Sequence, residues 1–63
     1  MEQERLLYTV SEAAEILRVN RNRVYSLLKE GLLKGLKLGG MKIPAKELTR
    51  FIDENTGKEI HIN

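Results

Sequence analysis

Asn20-Arg21-Asn22-Arg23 puts two guanidinium groups and two carboxamides in four consecutive positions. Side chains of these types match the edges of DNA bases. An arginine bonds guanine O6 and N7 in bidentate fashion, and an asparagine does the same with adenine N6 and N7. Each well-made pair discriminates between bases by about 1–3 kcal/mol. Arginines in the first turn of a helix also oppose its dipole and cost stability in the free protein. An anionic partner therefore explains Arg21 and Arg23 better than a solvated turn does.

The flanking residues supply a mount for this group. Thr9-Val10-Ser11-Glu12 has the spacing of a capping box, in which a threonine hydroxyl and a glutamate carboxylate each accept from the other's backbone N–H. A first helix is expected over about 10–17, with Val10, Ala13, Ala14 and Leu17 on one face and Ile16 widening it. The two alanines leave room for a second helix to approach closely. Asn20 is the next N-cap, and a second helix is expected over about 21–30, with Gly31 past its end in a left-handed conformation. Val24, Leu27 and Leu28 form its inner stripe. Asn22, Ser26 and Lys29 fall opposite that stripe, with Tyr25 on one flank and Arg23 on the other.

After Gly31 the period changes. Leu36-Lys37-Leu38 alternates, Gly39-Gly40 suits a two-residue hairpin loop, and Met41-Lys42-Ile43 returns. This wing, over about 36–43, is expected to pair Leu38 with Met41, Leu36 with Ile43, and Lys37 with Lys42. Two lysines directly opposite repel each other, and a phosphate between them would remove the repulsion. Pro44 ends the strand and suits the first turn of a third helix over about 45–54, with Leu48, Phe51 and Ile52 inward. The tail, 58–63, alternates weakly and either adds a short strand or frays.

Composition narrows the function classes. The chain has no cysteine, which excludes disulfides and thiolate metal sites, and His61 alone cannot build a zinc site. No metal or cofactor is expected. No apolar run approaches the roughly 20 residues that span a bilayer, so no membrane association is expected, and no signal peptide is legible at the start. The acids are scattered, and no nucleophile has a base at a recognisable spacing, so the chain is not expected to be an enzyme.

The net charge of +2 conceals a segregation. Between Arg18 and Lys46 eight basic residues face one acid, Glu30, for a segment charge of +7. Residues 1–17 carry −3 and residues 47–63 carry −2. A basic centre between acidic ends fits a polyanion.

Taken in order, Thr9-Val10-Ser11-Glu12-Ala13-Ala14, Asn20-Arg21-Asn22-Arg23-Val24-Tyr25, Glu30-Gly31, Gly39-Gly40 and Ile43-Pro44 resemble the excisionase-type helix-turn-helix domain of phages, plasmids and integrative elements. That domain is related to the winged helix of MerR-like regulators. The resemblance runs over about residues 7–57. It implies a mainly α fold with a small β-hairpin: a winged helix-turn-helix of three short helices and a two-stranded wing, filling residues 1–63 as a single domain. It implies double-stranded DNA as partner, with the second helix in the major groove and the wing on the flanking backbone. The implied DNA-binding residues are Asn20, Arg21, Asn22, Arg23, Tyr25, Ser26 and Lys29 on the recognition helix, and Lys37, Gly40, Met41 and Lys42 on the wing.

Two departures stand out. Arg18 occupies a turn position where the family often has glycine, and the wing carries Met41-Lys42 where an arginine–aromatic–arginine group is common. Phosphate contact through Lys42 is expected in place of deep minor-groove reading. MerR-like activators dimerise through a long C-terminal helix that the six residues after Gly57 do not provide. The expected role is therefore that of an excisionase-type accessory factor beside a tyrosine recombinase, with homotypic contacts on adjacent sites, encoded by a bacterium or phage and acting in the cytoplasm at the nucleoid. The alternatives are a small transcriptional regulator of a mobile element and, from another class, an interaction module whose basic face docks an acidic protein.

Overall fold

The computed structural model describes residues 5–59. Along the chain run β1 (Leu7–Thr9), α1 (Val10–Leu17), α2 (Arg21–Lys29), β2 (Leu36–Lys37), β3 (Met41–Pro44) and α3 (Ala45–Asn55). The three helices and the hairpin agree with the winged helix-turn-helix expectation. The sheet does not stop at two strands. β1 pairs antiparallel with the other side of β3, giving the order β1-β3-β2. Tyr8 lies across from Ile43 and Thr9 across from Lys42. Ala45 N–H donates to the Leu6 carbonyl at 2.9 Å and ties the start of α3 to the approach of β1.

α1 starts as the capping box requires. Thr9 Oγ1 accepts from Glu12 N–H at 3.1 Å, and the Glu12 carboxylate accepts from Thr9 N–H at 2.9 Å. Val10, Ala13 and Ala14 are buried, and the two alanines admit α2, whose Val24 and Leu27 are buried in turn. Asn20 caps α2 by accepting from Arg23 N–H at 2.9 Å. α2 closes one residue earlier than expected, at Lys29. Gly31, at φ +79°, donates to the Leu28 carbonyl, and Leu32 donates to the Leu27 carbonyl. α1 ends with the same pair of bonds: Arg18 N–H donates to Glu15 and Val19 N–H donates to Ala14. Here the left-handed residue is Arg18, at φ 61° and ψ 42°. A side chain with a Cβ is disfavoured there by about 1–2 kcal/mol.

Leu33, Ile43 and Val24 are the largest fully buried side chains, joined in the core by Val10, Ala13, Ala14, Leu27, Leu48 and Phe51. Leu33 was not expected in the core. It belongs to the connector between α2 and the wing, where no periodicity marks it. Ile16 and Ile52, expected inward, are each 44% exposed, because Ala13–Ala14 and Leu48–Phe51 already fill the faces beside them.

The hairpin register differs from the expected one by one residue. Leu36 pairs with Lys42 and Lys37 pairs with Met41, leaving Leu38-Gly39-Gly40 as a three-residue loop. Leu38 N–H donates to the Gly40 carbonyl at 2.8 Å, and both glycines have positive φ. A one-residue slip turns every side chain to the other face. Lys37 and Lys42 therefore lie on opposite faces of the wing and do not repel across it. Leu36 and Leu38 are exposed, not packed on the helices. β3 itself faces as expected, with Ile43 inward, half-buried Met41 on the same side and Lys42 outward, so the slip re-aims only β2. Gly35 makes the arrangement possible. A Cβ there would meet Met41 Sδ at 2.6 Å, Leu28 Cδ2 at 3.1 Å and the Lys42 carbonyl at 3.2 Å.

In the tail, Lys58 N–H donates to the Asn55 carbonyl. Lys58 and Glu59 belong to no strand, and the rest of the expectation for the tail, residues 60–63 with His61, lies outside the described residues.

Two substitutions should move stability in opposite directions. Arg18→Gly removes the left-handed cost but adds about 0.4–1 kcal/mol of freedom to the unfolded chain. Its melting temperature is expected to rise by about 2–6 °C. Gly35→Ala forces a methyl group against Met41 and Leu28 and is expected to lower it by about 4–8 °C. Thermal melts followed by circular dichroism check both. A fall for Arg18→Gly would show that the turn is not strained.

Candidate nucleic-acid interface

The first turn of α2 carries Arg21, Asn22 and Arg23, all exposed. It has no acidic residue to balance the arginines against the helix dipole. Asn20 is exposed too, but its Oδ1 is committed to the cap. Its first task is to shape the helix start. Tyr25 is 52% exposed, so its ring stands clear of the core. Ser26 is half-buried and donates its hydroxyl to the Asn22 carbonyl at 3.1 Å, within its own helix. Lys29 is exposed in the last turn, where the dipole favours a cation, which gives it a local reason as well.

On the wing, Lys37 is exposed and Lys42 is half-buried. The Lys42 ammonium lies over the loop, 3.6 Å from where a Gly40 Cβ would be. Met41 points the other way, toward the core. Of the four expected wing residues, the structure thus places two lysines on opposite faces, a glycine in the loop that needs its positive φ, and a methionine that is chiefly packing.

The ion pairs separate these cations from the others. Among the described residues they are Arg5–Glu12, Arg50–Glu47 and Arg50–Glu54. Arg5 and Arg50 both lie outside the basic segment. None of the eight cations between Arg18 and Lys46 takes part. The segregation visible in the sequence therefore survives folding as positive charge that no ion pair among the described residues takes up.

Residues with no expected role hold the connector after α2 in place. Arg50 donates to the Glu47 carboxylate, to Glu54 Oε1 at 2.7 Å and to the Leu32 carbonyl at 3.1 Å. Glu47 also accepts from Lys34 N–H at 3.1 Å. This brace fastens the connector between α2 and the wing onto α3. The i,i+3 and i,i+4 spacing of Glu47, Arg50 and Glu54 is a sequence signal for pairing along a helix. Their reach across to Leu32 and Lys34 has none. The bonds from Arg50 hold the Glu47 carboxyl below its ordinary value, with Lys34 N–H adding to the effect against the opposing influence of burial. The Glu12 carboxyl is likewise lowered, first by Thr9 N–H and then by Arg5.

An open groove of about 700 Å³ lies elsewhere, between β1, α1 and α3, with Glu12, Glu15, Ile16 and Lys46 among its walls. None of the expected interface residues lines it. Among the described residues no group of three His, Cys, Asp or Glu side chains is placed to hold a metal ion, and no helix is long and apolar enough to cross a membrane.

Residues 7–56 match the family described as a helix-turn-helix domain. The chain belongs to this family. The match spans every element from β1 to α3, and it makes DNA the partner of this domain. Domains of this family are typically non-enzymatic. Comparison with curated proteins finds no match, and comparison with solved structures finds none either.

A depressed carboxyl pKa stabilises the fold above the unfolded value of about 4.3 and ceases to do so as pH falls through the lower folded value. Glu47→Gln is accordingly expected to lower the melting temperature at pH 7, with the gap to the wild type closing below about pH 4. Melts across that range check the sign. A gap independent of pH would remove the charge on Glu47 as the source.

Proposed function

We propose that this domain binds specific sites on double-stranded DNA, with the first turn of α2 in the major groove and the wing on the backbone. The observation that carries this is the first turn itself: exposed Arg21, Asn22 and Arg23, with no acid to offset them and no ion pair among the described residues. Arg21 and Arg23 are assigned to base edges, with Asn22 beside them and Tyr25 on the flank. Lys29, Lys37 and Lys42 are assigned to phosphates, which position the protein without reading sequence. With Lys37 and Lys42 on opposite faces, the wing does not pinch one phosphate. Each lysine reaches a different one.

A domain of about this size offers an interface at the low end for specific DNA complexes, roughly 600–1,000 Å² for a single module. Occupancy at a site then calls for adjacent copies or a partner on the same DNA. This requirement and the resemblance to excisionase-type domains favour an accessory factor that coats DNA beside a tyrosine recombinase, in a bacterium or its phage. Regulation of transcription in a mobile element uses the same surface, and a recombinase gene beside this one would favour the first role.

Gel-shift titrations on a duplex selected from a randomised pool, and on a mixed-sequence duplex, test the assignment. Arg23→Ala is expected to weaken the selected duplex far more than the mixed one, by about 10-fold or more. Lys42→Ala should weaken both about equally. Equal losses from both variants would overturn the division of roles. For about 5 phosphate contacts the slope of log K against log salt is expected near −4.5. A flat salt response, with tight binding to an acidic protein in place of DNA, would favour a protein-docking module.

A further inference from the structure

Arg18 is the one residue other than glycine with positive φ among the described residues. The turn requires that conformation, since the two bonds that close α1 are the same pair that close α2 around Gly31. The choice of arginine is what needs a reason. Glycine adopts the left-handed region freely, and asparagine does so more readily than other side chains. A cation is favoured at a helix C-terminus, but that benefit does not call for position 18. Val19, the next residue, sits at the same helix end without positive φ and is 38% exposed. Arginine there would meet the dipole with no left-handed cost. The chain does the reverse, exposing an aliphatic side chain at 19 and holding arginine in the disfavoured conformation at 18.

A strained residue in an exposed turn is a pointer to function. Arg18 is exposed and makes no ion pair among the described residues. It stands two residues before Asn20, the cap of α2, so its Cα lies within about 7 Å of that cap. We propose that Arg18 is a further DNA contact of this domain, one that grips a backbone phosphate beside the entry of α2 into the groove. The inference rests on the DNA-binding reading above. Phosphate is the partner because Arg18 lies outside α2, short of the turn that would carry a side chain to the base edges, and because phosphate contacts fix orientation.

Two variants separate charge from conformation. Arg18→Asn keeps a residue that tolerates the turn and removes the cation, and Arg18→Lys keeps the cation. Fluorescence anisotropy against the selected and the mixed duplex, over a range of salt, provides the readout, with a thermal melt confirming that each variant folds. Arg18→Asn is expected to lose affinity several-fold on both duplexes, and its salt slope should fall by about 0.9. Arg18→Lys should keep the wild-type slope. An Arg18→Asn domain with unchanged affinity and slope would overturn the proposal while leaving the DNA reading standing. A loss confined to the selected duplex would make Arg18 a base contact and overturn the phosphate assignment. A wild-type domain that binds neither duplex at low salt would overturn the DNA reading, and this inference with it.

Discussion

Ile43 is fully buried in the middle of the central strand, and that one placement decides the orientation of everything attached to β3. With Ile43 inside, strand alternation puts Met41 inside and Lys42 outside. Tyr8 pairs with Ile43, so β1, which leads directly into α1, hangs on the same residue. α3 begins at the first residue after β3. The helix that carries the exposed arginines packs on α1, and the wing is the other edge of the same sheet. The helix-turn-helix and the wing are thus both attached to the strand whose facing this one aliphatic side chain sets.

Against that frame, the start of α2 works against its own stability. Two arginines face the positive end of the helix dipole, and the cap satisfies one of the four free N–H groups at the helix start. What compensates lies further along: Val24 and Leu27 are buried against α1, and the turn around Gly31 satisfies the last carbonyls. Stability is invested in the second half of the helix, and the first half is left free to be charged and exposed.

The sequence shows elements whose signals are local. The capping box at Thr9, the cap at Asn20, the glycine after α2 and Pro44 before α3 each set a boundary within a few residues, and the structure puts the boundaries at or next to those positions. Properties that depend on partners distant in sequence were not legible. β1 has only three residues, too few for alternation to register, and its identity as a strand comes wholly from β3. Leu33 is buried because the fold closes over it, and Gly35 is needed because Met41 and Leu28 crowd it. The hairpin differs by one residue because Gly39-Gly40 fits a two-residue or a three-residue loop equally well, and β3 faces the same way in both registers, so only β2 turns over. The exposure of the α2 arginines was legible, since both the dipole and the inner stripe pointed the same way.

The acids of this small domain are distributed to the same end. Glu12 closes the capping box and holds Arg5, and Glu47 sits in the first turn of α3 and holds Arg50. Each stands at a helix start, where the dipole favours a carboxylate. Each also neutralises a cation outside the basic segment. Placed among the α2 arginines, the same acids would relieve repulsion and strengthen the free fold, but they would also cancel the positive charge that the first turn of α2 presents. The Glu47–Arg50 brace resolves the conflict at a distance. It takes up the Leu32 carbonyl and the Lys34 N–H of the connector, fixing that connector onto α3 without an acid in the first turn of α2.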